Sequence, residues 1–341
     1  MSFWDSLYDV LGISFIMGDM QSGKILSKEN PPIENKIYTP EEVKPTKFIY
    51  RPKNLQEYIG QERAKDLVGL NLEKIRNIKP IHFLISGNKG CGKSTLANII
   101  ANELDYKITW HIGGSFSMEA LNKFLVKNQE SPEPLILFVD EIHNLDKSVG
   151  EYLYPVIEDF ILPEGDNLKL KPFIFMGATT EKNMLVKRFA PLIDRCQADI
   201  VLEAYRPEDI KEILKQYNEK IYQLNISNEV YELLSFNTRL TPRIALAFFD
   251  DYVVTKDIKR VLNAHRVVKN GLTLSDILVL QHLKEVGKPI GIETLAMIIG
   301  VTRVDFNYVT EPYLINQGYM SRTARGRIIT SKGETLLQEI Q

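Results

Sequence analysis

The sequence predicts a three-part α/β protein: a doubly wound parallel sheet built around a phosphate loop, then a small helical domain, then a winged helix. Three observations predict it. Residues 81–95 read strand, glycine-rich loop, helix. Short apolar runs then alternate with helical patterns as far as Leu202. Beyond Pro207 the helical patterns follow one another without strands until a hairpin-like stretch at Tyr319–Thr330. Alternation of this kind is the signature of a parallel sheet with helices on both faces.

Taken in order, residues 1–47 open with Phe3, Trp4, Leu7, Val10 and Leu11 at helical spacing, interrupted by Asp5 and Asp9. That segment lacks the basic start of a secretory signal. Gly18–Lys47 is rich in Pro, Ser, Lys, Asn and Glu and reads as a linker arm. The body begins at Phe48, with a helix expected over Ala64–Ile75. Ile81–Ile85 is a buried strand, and Gly87-Asn-Lys-Gly-Cys-Gly-Lys-Ser94 fits G-x-x-x-x-G-K-[ST] at each position. In this motif the glycines let backbone N–H groups face a phosphate, and the following helix adds its positive N-terminus. Gly87, Gly90, Cys91, Gly92, Lys93, Ser94 and Thr95 are therefore candidate ATP contacts. Lys93 is expected to reach the β/γ-phosphates, and Ser94 to ligate Mg²⁺.

Thr95–Leu104 is the helix after the loop. Strands are expected at Lys107–Ile112, Leu135–Val139, Pro172–Gly177 and Asp199–Leu202, and helices at Met118–Val126 and Val149–Phe160. The Leu135–Val139 strand ends in Asp140-Glu141. Beside a phosphate loop, Asp140 holds Mg²⁺ through water and Glu141 orients the attacking water. The next strand ends in Thr179-Thr180, where a hydroxyl can sense the γ-phosphate. Arg195 precedes the last strand and Arg243 opens a helix, where a ring ATPase needs one arginine in trans and one in cis.

Four helices, Pro207–Leu224, Asn228–Phe236, Pro242–Thr255 and Ile258–Val268, make the small domain. Leu274–Val286, Ile292–Ile299 and Phe306–Asn316, with the hairpin, make the winged helix. The expected domains are thus 1–47, 48–205, 206–270 and 271–341.

Composition narrows the function classes. With 44% hydrophobic and 25% charged residues the chain is an ordinary soluble protein, and its net charge of −2 makes any nucleic-acid contact local. The hairpin Tyr319–Thr330 carries Arg322, Arg325 and Arg327 and no acid, so it reads as a sequence-blind phosphate clamp. Two distant cysteines, Cys91 and Cys196, fit a reducing, cytoplasmic setting. No run is long enough to span a bilayer.

These segments in order (RPKNLQEYIGQE, GNKGCGKSTLANIIANEL, LFVDEIHNLDKSVGEYLYPVIEDF, PFIFMGATT, PLIDR, TPRIA and EPYLINQGYMSRTARGR) make the chain resemble the RuvB family of AAA+ ATPases, which drive branch migration of Holliday junctions. The resemblance implies a hexameric ring acting on duplex or branched DNA with ATP and Mg²⁺. It implies that Arg51, Tyr58 and Ile59 lie on the adenine side and that Glu158, Asp159, Phe160 and Tyr205 lie by the nucleotide. Thr180 becomes sensor 1, Arg195 the trans finger and Arg243 sensor 2. Arg322 and Arg327 become DNA-backbone contacts, with Arg303 and Arg325 nearby.

Departures from the family pattern mark a divergent or mobile-element member. Asn88-Lys89 replace Pro-Pro, PLIDRCQ loses an arginine and a glycine, and the N-terminal arm is long. The segment Phe160–Pro172, which in the family grips the partner RuvA, is short, so a family-type RuvA contact is not expected. The leading reading is a DNA-translocating ring ATPase. The alternatives are an AAA+ loader that remodels protein on DNA, and a nucleotide-gated DNA scaffold with little hydrolysis.

Overall fold

The computed structural model describes residues 50–163 and 169–340. The N-terminal helix and arm, and the Glu164–Asn167 tip of the short segment, lie outside the described residues. The described chain divides into two compact units, with the boundary in sequence between Gly271 and Leu272.

The first unit holds a five-stranded parallel sheet of order β2-β3-β4-β1-β5: β1 (Phe83–Ser86), β2 (Ile108–Ile112), β3 (Ile136–Asp140), β4 (Ile174–Thr179) and β5 (Ala198–Val201). β1 lies between β4 and β5, with Leu84 opposite both Gly177 and Asp199. β1, β4 and most of β3 are buried on both faces, as expected of central parallel strands. Alternate residues feed two cores. Phe83 and Ile85 pack with α1 (Glu62–Asn77) and α2 (Lys93–Leu104). Leu84 packs with α3 (Met118–Glu130), α4 (Lys147–Glu158) and α5 (Lys182–Asp194).

The sequence reading omits α5, and its geometry explains why. The helix is kinked at Phe189 (φ −139°, ψ 42°) and contains Pro191, so neither half shows a full amphipathic period. Phe189 seats against Gly150 of α4, where a Cβ would come within 2.4 Å of its ring.

Past β5, α6 (Pro207–Tyr217), α7 (Asn228–Asn237), α8 (Pro242–Thr255) and α9 (Ile258–Ala264) follow, and their apolar faces extend the first core. The expected helix to Leu224 stops at Tyr217 and gives way to a π turn, Asn218–Tyr222. Buried Asn218 bonds both the N–H and the C=O of Leu224, offering the backbone an alternative to the helical ladder. The helix expected to Val268 ends at Ala264, because Arg266 reverses the chain at φ 54° before β6 (Val267–Lys269).

The second unit contains β7 (Leu272–Thr273), α10 (Leu274–Val286), α11 (Ile292–Ile298), α12 (Arg303–Asp305), a π turn at Phe306–Thr310, α13 (Glu311–Asn316), the antiparallel pair β8 (Met320–Thr323) and β9 (Gly326–Ile329), and α14 (Ser331–Ile340). This is a winged helix with a closing helix that the sequence reading leaves out. Among the described residues no helix is long and apolar enough to cross a membrane.

His82, at the amino end of β1, knits this fold together. Its Nε2 donates to the Ile157 carbonyl at 2.7 Å, and its Nδ1 accepts the Phe175 N–H at 3.0 Å. Burial pushes its pKa down to about 4, and a proton on Nδ1 would face the Phe175 N–H. A depressed folded-state histidine stabilises above its unfolded pKa of about 6.5 and loses that contribution as pH falls toward 4, about 3 kcal/mol in all. Urea unfolding of the native chain should weaken across this window. A His82→Phe variant should weaken less; equal pH slopes for the two would rule this account out.

Candidate active site

The phosphate loop leaves the carboxyl end of β1 and enters α2 through Gly92, whose φ of 102° favours glycine. A Cβ on Gly92 would come within 2.8 Å of the Tyr58 hydroxyl. No side chain caps α2, so its first N–H groups stay free for an anion. Lys93 is buried and its Nζ bonds the carbonyls of Gly87 (2.9 Å) and Asn88 (3.1 Å), curling the loop around its own cation. Cys91 is buried in the loop, where burial pushes its thiol up. Thr95 is half-buried in the first turn of α2.

Two tyrosines hold the loop from beneath. Tyr205 donates to the Cys91 carbonyl (3.2 Å) and lies 3.4 Å from the Tyr58 hydroxyl. Burial pushes Tyr205 up to about 12 and Tyr58 well above the usual phenol range, so both stay neutral. Gln61 joins the two segments through the backbone of Glu203. Ile59 is half-buried and Arg51 exposed. From the other side α8 approaches: a Cβ on Gly90 would meet Thr241 at 2.9 Å and the Arg243 Cβ at 3.3 Å. Arg243 is exposed and has no ion-pair partner among the described residues.

β3 and β4 bring the acids to the same edge. Ser94 Oγ lies 3.4 Å from Asp140 Oδ2. This hydroxyl–carboxylate pair, with waters and substrate phosphates, suits Mg²⁺. Among the described residues no cluster of three or more metal-binding side chains suggests a different metal. Glu141 takes a left-handed backbone (φ 47°) that turns its carboxylate toward β4. There Oε2 accepts from Thr180 N (3.2 Å) and Thr180 Oγ1 (2.8 Å). His143 joins the cluster, its Nδ1 3.0 Å from Thr179 Oγ1 and 3.4 Å from Glu141. The sequence reading does not single out His143, although it follows Glu141 by two residues.

Arg195 is elsewhere. It caps α5 at the amino end of the sheet, so the length of β1, about 13 Å at 3.3 Å per residue, separates it from its own phosphate loop. It pairs with Glu158, donates to the Pro191 carbonyl and lies 5.3 Å from the Tyr154 ring centre. The resemblance puts Glu158, Asp159 and Phe160 by the nucleotide; within one chain they stand at the carboxyl end of α4, on the side of the sheet where Arg195 lies. Glu158 sits on Arg195, and Phe160 (φ 53°) packs on His82 and Phe173 at that same amino end. Beyond Phe160 the short segment has a paired base: Ile161 bridges Lys169, and Leu170 N donates to the Phe160 carbonyl at 2.7 Å.

In the second unit Arg303 pairs with Glu293 (2.8 Å) and Arg325 is exposed. The hairpin itself carries no acid, but an acid from the preceding helix reaches it. Arg322 and Arg327 both bond Glu311, a fully buried carboxylate brought by α13.

Residues 50–202 match the family model for the Holliday junction DNA helicase RuvB P-loop domain, and residues 269–338 match the RuvB C-terminal winged helix domain. The Holliday junction branch migration complex subunit RuvB of Fusobacterium nucleatum is 34% identical over 333 residues, spanning 91% of this chain and 98% of that one. Its counterpart in Acholeplasma laidlawii is 36% identical over 316 residues, spanning 85% and 91%. Among solved structures, the Thermotoga maritima RuvB Holliday junction branch migration motor aligns with a TM-score of 0.72 at 33% identity, covering 84% of this chain and 98% of that one.

Proposed function

This chain belongs to the RuvB family, and from that premise we infer an ATP-hydrolysing DNA motor that moves Holliday junctions in recombination and repair. Residues 48–205 are the ATPase core, 206–270 its lid and 271–341 the DNA-binding domain. The chain works in the cytoplasm as a homo-oligomeric ring, hexameric as the resemblance implies.

One observation carries the reading. Lys93, Ser94, Asp140, Glu141 and Thr180 converge at the carboxyl edge of the sheet, while Arg195 stands at the amino edge. A site so divided is completed by a neighbour. Lys93 and the amides of α2 bind the phosphates of ATP, and Arg243 approaches them from the lid. Mg²⁺, held by Ser94 and Asp140, neutralises phosphate charge when bound. Glu141 orients the attacking water, and Thr180 fixes Glu141. The wing arginines grip DNA backbone without reading sequence.

The test is ATP turnover with and without branched DNA, alongside migration of a synthetic four-way junction. Branched DNA should raise turnover and the junction should move. Lys93→Ala should abolish both activities. Given the short segment after Phe160, adding a family RuvA should leave the rate unchanged; strict dependence on RuvA would overturn that part. Turnover without junction movement under any condition would sink the motor reading.

A further inference from the structure

Arg322 and Arg327 stand directly opposite each other across β8 and β9. Two like charges in that position repel and splay a hairpin. Here Glu311 fills the space between them. Its Oε1 accepts from Arg322 Nε (2.7 Å) and Arg327 Nε (2.7 Å), and its Oε2 from Arg322 Nη2 (2.8 Å) and Arg327 Nη2 (3.1 Å). Each guanidinium thus spends its Nε–Nη2 edge on one carboxylate. Burial alone pushes the Glu311 carboxyl up, but the two arginines outweigh it and hold the group below the usual carboxylate range.

The two arginines are not equivalent. The Arg327 side chain is 18% exposed, whereas that of Arg322 is 57% exposed and has one further contact, Asn307 Oδ1 at 3.3 Å. Arg325, at the turn, is exposed and has no ion-pair partner among the described residues. The wing therefore presents Arg322 and Arg325 outward, on a support made of Glu311 and Arg327.

We propose that Glu311 is a positioning residue for DNA binding: with Arg327 as a buried support, it aims the outer edge of Arg322 at a phosphate, leaving Arg322 and Arg325 as the phosphate contacts. This rests on the reading of the wing as the DNA-binding surface. It makes a counterintuitive prediction. If Glu311 only neutralised charge, E311Q would tighten binding and steepen its salt dependence, by about 0.9 in slope for each phosphate gained. If Glu311 aims Arg322, the same change weakens binding despite the added positive charge.

The experiment is fluorescence anisotropy of a labelled duplex across a salt series, using the full chain, with DNA-independent ATPase and thermal melting as controls. E311Q should lose about tenfold in affinity, and its slope should fall by about 0.9. A second variant guards against misfolding. E311M with R327M removes the buried pair together, a replacement that buried ion pairs often tolerate, and should show the same loss. Native or tighter binding by either folded variant overturns the proposal. R322M and R325M separate the two levels. If neither weakens DNA binding, the wing is not the DNA surface; if both do while E311Q does not, only the role of Glu311 falls.

Discussion

Arg195→Ala is expected to bind ATP as the native chain does and to lose about 10³–10⁵ of its turnover. Binding survives because Lys93 and Ser94 form the cradle at the opposite end of the sheet. Turnover should collapse because, in the proposed ring, the arginine that stabilises the transition-state charge comes from the neighbour. The sharper test uses mixtures. A site between an Arg195→Ala subunit and a Glu141→Gln subunit can pair the first one's intact Glu141 with the second one's intact Arg195. Two inactive preparations should therefore regain part of the activity when assembled together. Full turnover by Arg195→Ala alone would show that Glu158 and Tyr154 hold a merely structural arginine. So would a mixture that stays dead at every ratio, provided each variant still assembles.

Glu141→Gln is expected to keep nucleotide affinity and lose about 10²–10⁴ in the hydrolytic step, the usual share of a positioned general base. The amide still accepts from Thr180 but cannot take a proton from water. Thr180→Val should cost less, since it removes one donor at 2.8 Å and leaves the Thr180 N–H bond at 3.2 Å. Single-turnover hydrolysis with measured nucleotide binding ranks the two. A Thr180→Val loss equal to that of Glu141→Gln would mean that Thr180 acts on substrate rather than through Glu141.

The nucleotide half of this site was legible in the sequence because it depends on local order. A loop of fixed spacing joins a strand to a helix, and two acids end a neighbouring apolar strand. Each feature is contiguous, so spacing reports it. What stayed hidden needed tertiary contacts. Glu311 reads as an ordinary acid in the middle of a helix; its two arginines lie eleven and sixteen residues away and meet it only once the wing has folded. Glu158 and Arg195 pair across 37 residues, which no local pattern reports. Helix α5 was hidden for a different reason: Pro191 and the turn at Phe189 break the period on which a helix prediction depends. The π turn after Tyr217 and the reversal at Arg266 were missed because side-chain bonding and a single positive φ, not hydropathy, end those helices.

That broken helix has a mechanical consequence. Its N-cap, Glu181, follows Thr180 directly and donates its N–H to Thr179 Oγ1, and its last turn delivers Arg195. Midway, Arg188 is fastened to the carbonyls of His143 (2.5 Å) and Leu145 (3.0 Å), in the turn that Glu141 begins. One helix, kinked though it is, thus links the Glu141–Thr180 cluster at the carboxyl edge of the sheet to Arg195 at its amino edge. If the proposed ring forms, a shift of Glu141 on nucleotide binding would tug the helix at two points and be felt at the adjoining site. In the proposed ring such a rod would couple each site to its neighbour, so subunits would discharge in succession rather than at random. A few subunits with severed rods, as in Arg188→Ala, would stall the whole cycle out of proportion to their number.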